Sequence, residues 1–329
     1  MRVVVASPAF PAIAQHLPRF LPEAEVVFAG PAELPVRVQE ADVLIPSMAR
    51  IDGALLGRAA RLWLIHQWGA GLEGVDLEAA TRLGIPVANV PTAGTANAAS
   101  VAEWCVMAAL VLARRLDEAR AVARRLDAWG HPIGMSLVGR TAGVVGLGGI
   151  GTELAARLRA LGMRVRAVKR HPDPGLAQRL GVEWLGSMEE LPALLGASDF
   201  VFLTLPATPE TRGLISRREL AAMRPGAFLV NPARGALVDE AALLEALDGG
   251  HLGGAAVDVY SVEPPAPDHP LLRHPRVLAT PHIAGVTDAS YADIARRVAA
   301  NVRRVQAGSL PEPCANPQVA PRRPAPRQG

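Results

Sequence analysis

The sequence predicts an α/β protein built on parallel β-sheets. Short apolar runs recur along the whole chain of 329 residues, and helical patterns separate them. The later runs lack the polar/apolar alternation of a strand with one solvated face, so helices are expected to cover both faces. The predicted strands cover residues 3–6, 25–28, 42–45, 63–66, 85–88, 143–147, 164–168, 200–205, 227–231, 255–259 and 277–280.

The length predicts about two domains. A stretch rich in small residues, NVPTAGTANA at 89–98, marks one chain crossing, and a second is expected near 285–290. The sequence thus predicts a discontinuous domain of residues 1–98 plus 287–329 and a second domain of residues 99–286. A long helical pattern over about 99–125 follows the first crossing, and the Pro- and Arg-rich segment from 310 is expected to be mobile.

Composition argues against several classes of partner. The net charge of +3 is too small to predict nucleic-acid binding, and no Lys/Arg block resembles a footprint for it. Cys105 and Cys314 suggest neither a disulfide framework nor a metal site, and the N-terminus lacks a signal-peptide pattern, so a cytoplasmic location is expected. The apolar run at 105–113 is too short to span a bilayer and predicts a buried helix, so no membrane partner is expected.

A glycine-rich turn indicates a dinucleotide site. Gly146, Gly148 and Gly151 satisfy G-x-G-x-x-G between a predicted strand and an amphipathic helix that ends near Gly162. Such glycines permit a tight turn, let a pyrophosphate approach the backbone and let helix and strand pack closely. The helix start, with Gly149 and Ile150, would offer unpaired N–H groups to the phosphates. The alternative is a tight strand–helix turn that binds nothing.

The end of the next predicted strand favours NADP over NAD. An acidic residue about 20 positions after the glycines would accept hydrogen bonds from the adenosine ribose, but Lys169 and Arg170 stand there. These cations suit a 2′-phosphate. Lys169 is the only lysine in the chain. The alternative is that both side chains are solvated and that NAD, or either cofactor, is used.

Taken together, the motifs resemble the D-isomer-specific 2-hydroxyacid dehydrogenases over nearly the whole chain, including the branch of glyoxylate/hydroxypyruvate reductases and phosphoglycerate dehydrogenases. The resemblance implies two doubly wound parallel-sheet domains, a Rossmann dinucleotide-binding domain inserted in a flavodoxin-like substrate domain. The order and spacing of the segments are specific, although any one alone would not be. The matching segments are GAGLEGVDL (69–77), GIPVANVP (84–91), NAASVAEW (97–104), the glycine motif GVVGLGGIG (143–151), LPATPETRGLI (205–215), VNPARGALVDE (230–240), DVYSVEPP (258–265) and TPHIAG (280–285).

The resemblance implies three catalytic positions. Arg234 would hold the substrate carboxylate and polarise the ketone, which suits a guanidinium because it can meet a carboxylate through two donors. His282 would exchange the proton, and Glu263 would hydrogen-bond His282 and orient its ring. Each could separately be an ordinary surface or loop residue. Their joint placement after strands of one predicted sheet argues against coincidence.

Further positions follow from the same resemblance. Ala70, Gly71 and Asn97 would contact substrate together with Arg234, although Asn97 could instead cap the long helix. Asp258 would bind the nicotinamide carboxamide, the alternative being a cap at a strand end. The other residues expected to line the cofactor are Leu205, Pro206, Thr211, Ala233 and Ala284.

The expected reaction is hydride transfer between NAD(P)H and a small 2-oxo/2-hydroxy acid such as glyoxylate or hydroxypyruvate. Two alternatives resemble the chain as well: phosphite dehydrogenases, and corepressors that bind a dinucleotide but act mainly as interaction proteins. A homodimer is expected as in relatives. An apolar stripe on the long helix could form its interface, although core burial explains the same stripe, which consists of Val101, Cys105, Ala108, Ala109 and Leu112.

Overall fold

The computed structural model describes residues 1–319 and residue 322. Contacts between Cα atoms divide the chain into two compact units. Unit 1 joins Met1–Asn97 to the chain from Thr287 onward, and unit 2 is Ala98–Val286. Each unit is built on one parallel sheet.

The described residues form twelve strands in these two sheets. The strands are β1 Arg2–Val5, β2 Glu25–Phe28, β3 Val43–Ile45, β4 Leu64–His66, β5 Val87–Ala88, β6 Thr141–Val145, β7 Arg164–Val168, β8 Trp184–Gly186, β9 Phe200–Leu203, β10 Phe228–Asn231, β11 Gly254–Val257 and β12 Val277–Ala279. The helices are α1 Ile13–His16, α2 Leu34–Arg37, α3 Gly53–Gly57, α4 Leu77–Arg82, α5 Ala96–Ala113, α6 Leu116–Arg125, α7 Gly149–Ala160, α8 Pro174–Leu180, α9 Leu191–Ala197, α10 Arg217–Ala222, α11 Glu240–Asp248, α12 Pro270–Arg273 and α13 Asp288–Gln306.

The strand orders confirm the predicted fold class. Unit 1 has the order β2-β1-β3-β4-β5, which is the flavodoxin-like arrangement. Unit 2 has the order β12-β11-β10-β9-β6-β7-β8, which contains the Rossmann order extended by one strand. Each of the eleven predicted strands is present. The prediction missed β8, a three-residue edge strand that is too short to give a periodic signal.

Both faces of the unit 2 sheet are buried, as the continuous apolar runs predicted. Alternate residues of β9 point to opposite cores, Phe200 and Phe202 to one and Val201 and Leu203 to the other. The first core contains α5 and α7, and the second contains α9 and α11. Helices therefore cover both faces of the sheet, and the loops that carry the candidate residues follow its strand ends.

The helical region after the first crossing differs from the prediction of one helix over about 99–125. Two helices are present, α5 and α6, because Arg115 between them adopts a left-handed conformation with φ +50°. The apolar stripe of α5 faces the core, as the alternative interpretation held: Cys105 and Ala108 are fully buried. The stripe is therefore not a dimer interface.

Helix α5 is also longer than the apolar run that predicted it. Its 18 residues are long and apolar enough to cross a membrane by length and composition, and half of them are buried inside the fold. A core helix of a folded domain has the same properties, and the contacts of α5 with the sheet of unit 2 account for its apolar character.

The segment after α13 is ordered, which contradicts the expected mobility from residue 310 as far as Val319. The N–H of Ala315 donates to the carbonyl of Val87, on the edge strand β5, at 2.7 Å. Asn316 is buried, and its side chain bonds Val87 N, Ile85 O and Thr81 Oγ1 of unit 1. The expected mobility also covered residues 320, 321 and 323–329, which lie outside the described residues.

A buried histidine joins this segment to the sheet. His66 ends β4 and is fully buried, with Nδ1 2.9 Å from the carbonyl oxygen of Gln67. Its Nε2 lies 3.0 Å from the amide nitrogen of Asn301, which also bonds Glu312. Burial lowers the pKa of His66 to about 4, although the contact with Gln67 acts in the opposite direction. A neutral ring lets Nε2 accept from Asn301 while Nδ1 donates.

We expect the stability of the protein to depend on pH through His66. The folded pKa lies below the unfolded value of 6.5, so the contribution is present above pH 6.5 and is lost as the pH falls through about 4. The full change is about 3 kcal/mol in the free energy of unfolding. The free energy of unfolding, measured by urea denaturation at each pH across this range, should change less steeply with pH in His66→Gln than in the wild type. The control His171→Gln, at an exposed site, should keep the pH dependence of the wild type. An equal pH dependence in all three proteins would contradict the role of His66.

Candidate active site

The glycine turn between β6 and α7 has the shape that its sequence predicted. Gly146 has φ +97°, and a Cβ there would lie 2.8 Å from the Cβ of Leu205. A Cβ on Gly151 would lie 2.2 Å from the carbonyl oxygen of Gly146, so helix and turn are in close contact. A Cβ on Gly148 would meet no atom within 4 Å. Open space at the middle glycine, with closely packed glycines on both sides, fits a site where a pyrophosphate approaches the backbone.

The start of α7 has no side-chain cap. Gly148 is its N-cap and supplies no side-chain hydrogen bond, and Gly149 and Ile150 form the first turn. Sequence reasoning missed Thr204, which follows β9 and whose hydroxyl donates to the carbonyl of Gly146 at 2.6 Å. This bond ties the turn to the next strand. No motif pointed to Thr204, because a threonine after a strand is common.

Lys169 follows β7 directly, and its N–H donates to the carbonyl of Gly186 at 3.0 Å. The neighbouring Arg170 is exposed, with its guanidinium 3.8 Å from the carboxylate of Glu210. A hydrogen bond from the Thr208 hydroxyl, together with the nearby Arg170, lowers the pKa of Glu210. The adenosine end of the predicted site thus carries two cations and one acid.

Four further residues expected near the cofactor lie at the ends of β9 and β10. Leu205 packs against the glycine turn, and Pro206 follows it. The hydroxyl of Thr211 donates to the carbonyl of Pro206 at 2.8 Å and accepts from the N–H of Thr208 at 2.7 Å, which closes this loop. Ala233 is nearly buried, and its N–H donates to the side chain of Asn231.

Asp258 holds the loop that carries His282. It follows β11, is fully buried, and accepts from Thr280 Oγ1 at 2.5 Å and from Ile283 N at 2.8 Å through Oδ1. Its Oδ2 accepts from Ala284 N at 2.7 Å. Burial raises the pKa of Asp258, and these hydrogen bonds partly oppose the rise. The strand-end role that the sequence left as an alternative is therefore present.

His282 and Glu263 form a direct pair. His282 Nδ1 lies 2.6 Å from Glu263 Oε2, and the backbone of His282 is left-handed with φ +57°. The other carboxylate oxygen of Glu263 accepts from the N–H of Tyr260 at 2.9 Å, which fixes the carboxylate. Glu263 is 15 % exposed and His282 33 %, so the histidine is the member of the pair that solvent or substrate can reach.

Arg234 lies in the loop after β10. Its Nη1 donates to the carbonyl of Ala233 at 2.7 Å, and its own carbonyl accepts from Asn231 Nδ2 at 2.9 Å. The next residue, Gly235, packs against the loop of Tyr260, because an added Cβ would lie 1.9 Å from the Tyr260 carbonyl carbon. The loop of Arg234 and the loop of Glu263 therefore share a backbone contact.

The strand order of unit 2 places the loops of the three catalytic candidates next to each other, at the carboxyl ends of the strands. Strands β10, β11 and β12 are adjacent and parallel, with Asn231 paired to Val257 and Val257 to Ala279. Arg234, Glu263 and His282 follow their carboxyl ends. Because neighbouring strands lie about 4.8 Å apart, the three loops start within roughly 10 Å of each other. An open α/β sheet binds its ligands at this edge.

Two residues that sequence reasoning missed support the Glu263 loop. Glu240, at the start of α11, accepts from the N–H and the hydroxyl of Ser261, each at 2.7 Å. His269 lies 3.4 Å from the same carboxylate. The VDE segment marked the position of Glu240 but not its contact, since the partner is 21 positions away. Within residues 1–319 and 322, no group of three or more His, Cys, Asp and Glu side chains could hold a metal ion.

The substrate-contact candidates Ala70, Gly71 and Asn97 belong to unit 1. Ala70 and Gly71 lie in the loop after β4, where the Ala70 carbonyl accepts from Asn89 Nδ2 at 2.6 Å. Asn97 lies inside the first turn of α5, which starts at Ala96, so the interpretation of Asn97 as the helix cap is wrong. Its Oδ1 accepts from the hydroxyl of Ser290 on α13 at 3.2 Å.

Known proteins share both the sequence and the fold. The family described as "D-isomer specific 2-hydroxyacid dehydrogenase, NAD binding domain" matches residues 106–284. A D-3-phosphoglycerate dehydrogenase of Mycobacterium tuberculosis is 40% identical over 276 residues, 83% of this chain and 51% of that protein. The chain thus spans about half the length of such curated relatives. A glyoxylate reductase of Aeropyrum pernix is 38% identical over 292 residues, which cover 86% of this chain and 85% of that protein.

Solved structures give the same result. A protein from Thermus thermophilus superposes with a TM-score of 0.82 at 39% identity, over 96% of this chain and 100% of that one. D-Lactate dehydrogenase from Aquifex aeolicus, complexed with NAD and lactic acid, superposes with a TM-score of 0.82 at 25% identity, over 96% and 99%. With the fold, the glycine turn and these matches in agreement, the chain belongs to the D-isomer-specific 2-hydroxyacid dehydrogenase family.

Proposed function

We propose that the protein is an oxidoreductase that transfers a hydride between a nicotinamide cofactor and a small 2-oxo/2-hydroxy acid. The observation that carries the proposal is the pair of His282 and Glu263, held by Asp258 at the strand edge that also presents Arg234. A carbonyl group needs a proton donor and a cation beside it when it is reduced, and this edge supplies both.

The residues divide the work by their chemistry. Glu263 faces Nδ1 of His282, so the proton to be exchanged with the substrate oxygen resides on Nε2. Arg234 has a planar group of five N–H donors, which can bind a carboxylate and polarise the neighbouring carbonyl. The nicotinamide, when bound, supplies or accepts the hydride. The open space at Gly148 and the uncapped start of α7 would hold its pyrophosphate, and Asp258 would accept from its carboxamide.

Replacing His282 should separate chemistry from cofactor binding. We expect His282→Gln to lower kcat for reduction of glyoxylate or hydroxypyruvate at least 100-fold, because general acid catalysis contributes about 10²–10⁴. The dissociation constant of the reduced nicotinamide should stay within about twofold. Stopped-flow absorbance and fluorescence titration measure the two quantities, with the exposed-site variant His131→Gln as control. Full turnover in His282→Gln would refute the assignment. Dinucleotide binding without turnover of any 2-oxo acid or phosphite by the wild type would favour a sensor.

We propose that NADP is preferred, with NAD as the alternative. Lys169 directly follows β7, next to the glycine turn, where the N–H of Gly146 donates to the carbonyl of Val168. A cation at this position favours a 2′-phosphate over a free ribose hydroxyl. Glu210 engages Arg170 only through an exposed pair, which contributes little. Lys169 is therefore the main determinant of the proposed preference.

Lys169→Asp should shift the preference toward NAD. The ratio of kcat/KM with NADPH to kcat/KM with NADH should fall at least tenfold, since a charge-assisted hydrogen bond contributes about 1.5–3 kcal/mol. The control Arg218→Asp makes the same change of charge at an exposed position of α10 and should leave the ratio unchanged. An NADH preference in the wild type, or an unchanged ratio in Lys169→Asp, would refute the proposal.

We also propose a cytoplasmic homodimer. Cys105 and Cys314 are both free thiols, which suits a reducing compartment. Exposed apolar side chains between residues 107 and 138 of unit 2, which we call the apolar patch, suit a second copy better than the stripe on α5. Met107, Leu110 and Leu116 line one groove, and Leu126, Trp129, Ile133 and Val138 are 70–79 % exposed. Helix α6 in this patch has acidic residues in its first turn and basic residues in its last. A twofold axis would place these ends opposite each other.

The apolar patch should control assembly. We expect the wild type to sediment as a dimer and the double variant Trp129→Asp/Ile133→Asp as a monomer, because buried carboxylates would disrupt the contact. Analytical ultracentrifugation measures the mass in solution. Val36→Asp, at an apolar residue of unit 1 that is 61 % exposed, is the control and should leave the dimer intact. A monomeric wild type, or a dimeric double variant, would exclude this interface.

A further inference from the structure

We propose that Gln67 and Asn89 are positioning residues that orient the substrate-binding loop of unit 1, an inference that rests on the proposed function. The loop runs from Gly69 to Leu72 after strand β4. Its N–H groups would receive the substrate carboxylate. Neither Gln67 nor Asn89 is part of the catalytic set, and neither belongs to the glycine turn.

Three successive carbonyls of this loop are bound from inside unit 1. The carbonyl of Gly69 accepts from the N–H of Val90 at 2.8 Å. The carbonyl of Ala70 accepts from Asn89 Nδ2 at 2.6 Å, and the carbonyl of Gly71 accepts from Gln67 Nε2 at 2.9 Å. Two of the three bonds therefore come from side-chain amides.

These bonds determine where the N–H groups point. A trans peptide is planar, and its N–H is antiparallel to its C=O. The N–H groups of Ala70, Gly71 and Leu72 therefore point away from Val90, Asn89 and Gln67. Among the described residues, none accepts a hydrogen bond from these three N–H groups. Consecutive unpaired N–H groups form a binding place for an anion such as a carboxylate.

Gln67 is itself held in place. Its Oε1 accepts from the N–H of Trp68 at 2.9 Å, and its Nε2 also donates to the carbonyl of Ser47 at 3.0 Å. Ser47 has φ +54°, an uncommon conformation that this bond helps to hold. The backbone carbonyl oxygen of Gln67 lies 2.9 Å from Nδ1 of the buried His66. An amide with three partners can take few other orientations, so the loop is ordered before substrate binds.

An amide is required at both positions because each must donate to a carbonyl. Methionine in place of Gln67, or leucine in place of Asn89, keeps the approximate size but cannot donate. The freed carbonyls could then rotate outward and place negative partial charge where the substrate carboxylate binds. The N–H groups hold the carboxylate in ground state and transition state alike, so their loss should raise KM and leave kcat nearly unchanged.

The experiment compares Gln67→Met, Asn89→Leu and Asn89→Ala with the wild type, all saturated with reduced nicotinamide. We expect KM for the 2-oxo acid, and the dissociation constant of oxalate by calorimetry, to rise about tenfold. We expect kcat and the KM of the nicotinamide to stay within about twofold. Amide exchange at Val90, whose N–H donates to the loop carbonyl of Gly69, should accelerate. The control is Gln39→Met, whose exposed amide donates to Pro35 on α2 and should change none of these quantities.

Unchanged oxalate affinity in the variants would overturn the inference. So would a parallel loss of kcat and nicotinamide affinity, since that pattern indicates general damage to the fold. If the wild type turns over no 2-oxo acid, the proposed function fails, and oxalate binding with amide exchange still decides the role of the two amides. A wild type that binds no oxalate would refute the inference as well.

Discussion

The interaction on which the candidate site most depends is the hydrogen bonding of the buried Asp258 carboxylate to the loop that carries His282. Burying an ionised carboxylate costs several kcal/mol unless hydrogen bonds offset the loss of water. Three donors from Thr280, Ile283 and Ala284 supply that compensation. All three come from one short loop, so the loop cannot move without leaving Asp258 unpaired. The conformation of the loop and the burial of the acid are therefore coupled.

The same coupling explains how His282 keeps a left-handed backbone. A non-glycine residue in that region costs about 1–2 kcal/mol. The N–H of His282 donates to the carbonyl of Asp258 at 2.8 Å, and its ring bonds Glu263, which in turn bonds Tyr260. The hydrogen bonds of the His282 backbone N–H and of its ring thus offset the cost of the left-handed backbone. As a result the ring presents Nδ1 to the Glu263 carboxylate in a fixed orientation.

How far the sequence could predict this arrangement depends on the range of each interaction. Gly146, Gly148 and Gly151 could be assigned to a turn because a strand and a helix adjoin them in the chain. Arg234, Glu263 and His282 could be singled out only as members of matching segments. The contacts that hold them could not be predicted, because Asp258 bonds residues 22–26 positions away and Glu240 bonds Ser261, 21 positions away. The left-handed Arg115, which divides the expected single helix, has no signal in a run of helix-forming residues.

In both units, hydrogen bonds from a side chain near a strand end orient a loop. The side chain accepts these bonds in unit 2 and donates them in unit 1. In unit 2 the Asp258 carboxylate accepts from the backbone N–H groups of Ile283 and Ala284, so these N–H groups are occupied. In unit 1 the amides of Gln67 and Asn89 donate to backbone carbonyls, so the carbonyls are occupied and the N–H groups point the other way, toward the proposed anion. A loop meant to bind a carboxylate has to turn its carbonyls away, and a donating side chain does this at the strand end. Acidic residues at positions 67 and 89 would do the reverse, since they would repel the carbonyls and add negative charge beside the anion. The choice of amide or acid at each strand end therefore follows from the charge of the group that the loop is proposed to meet.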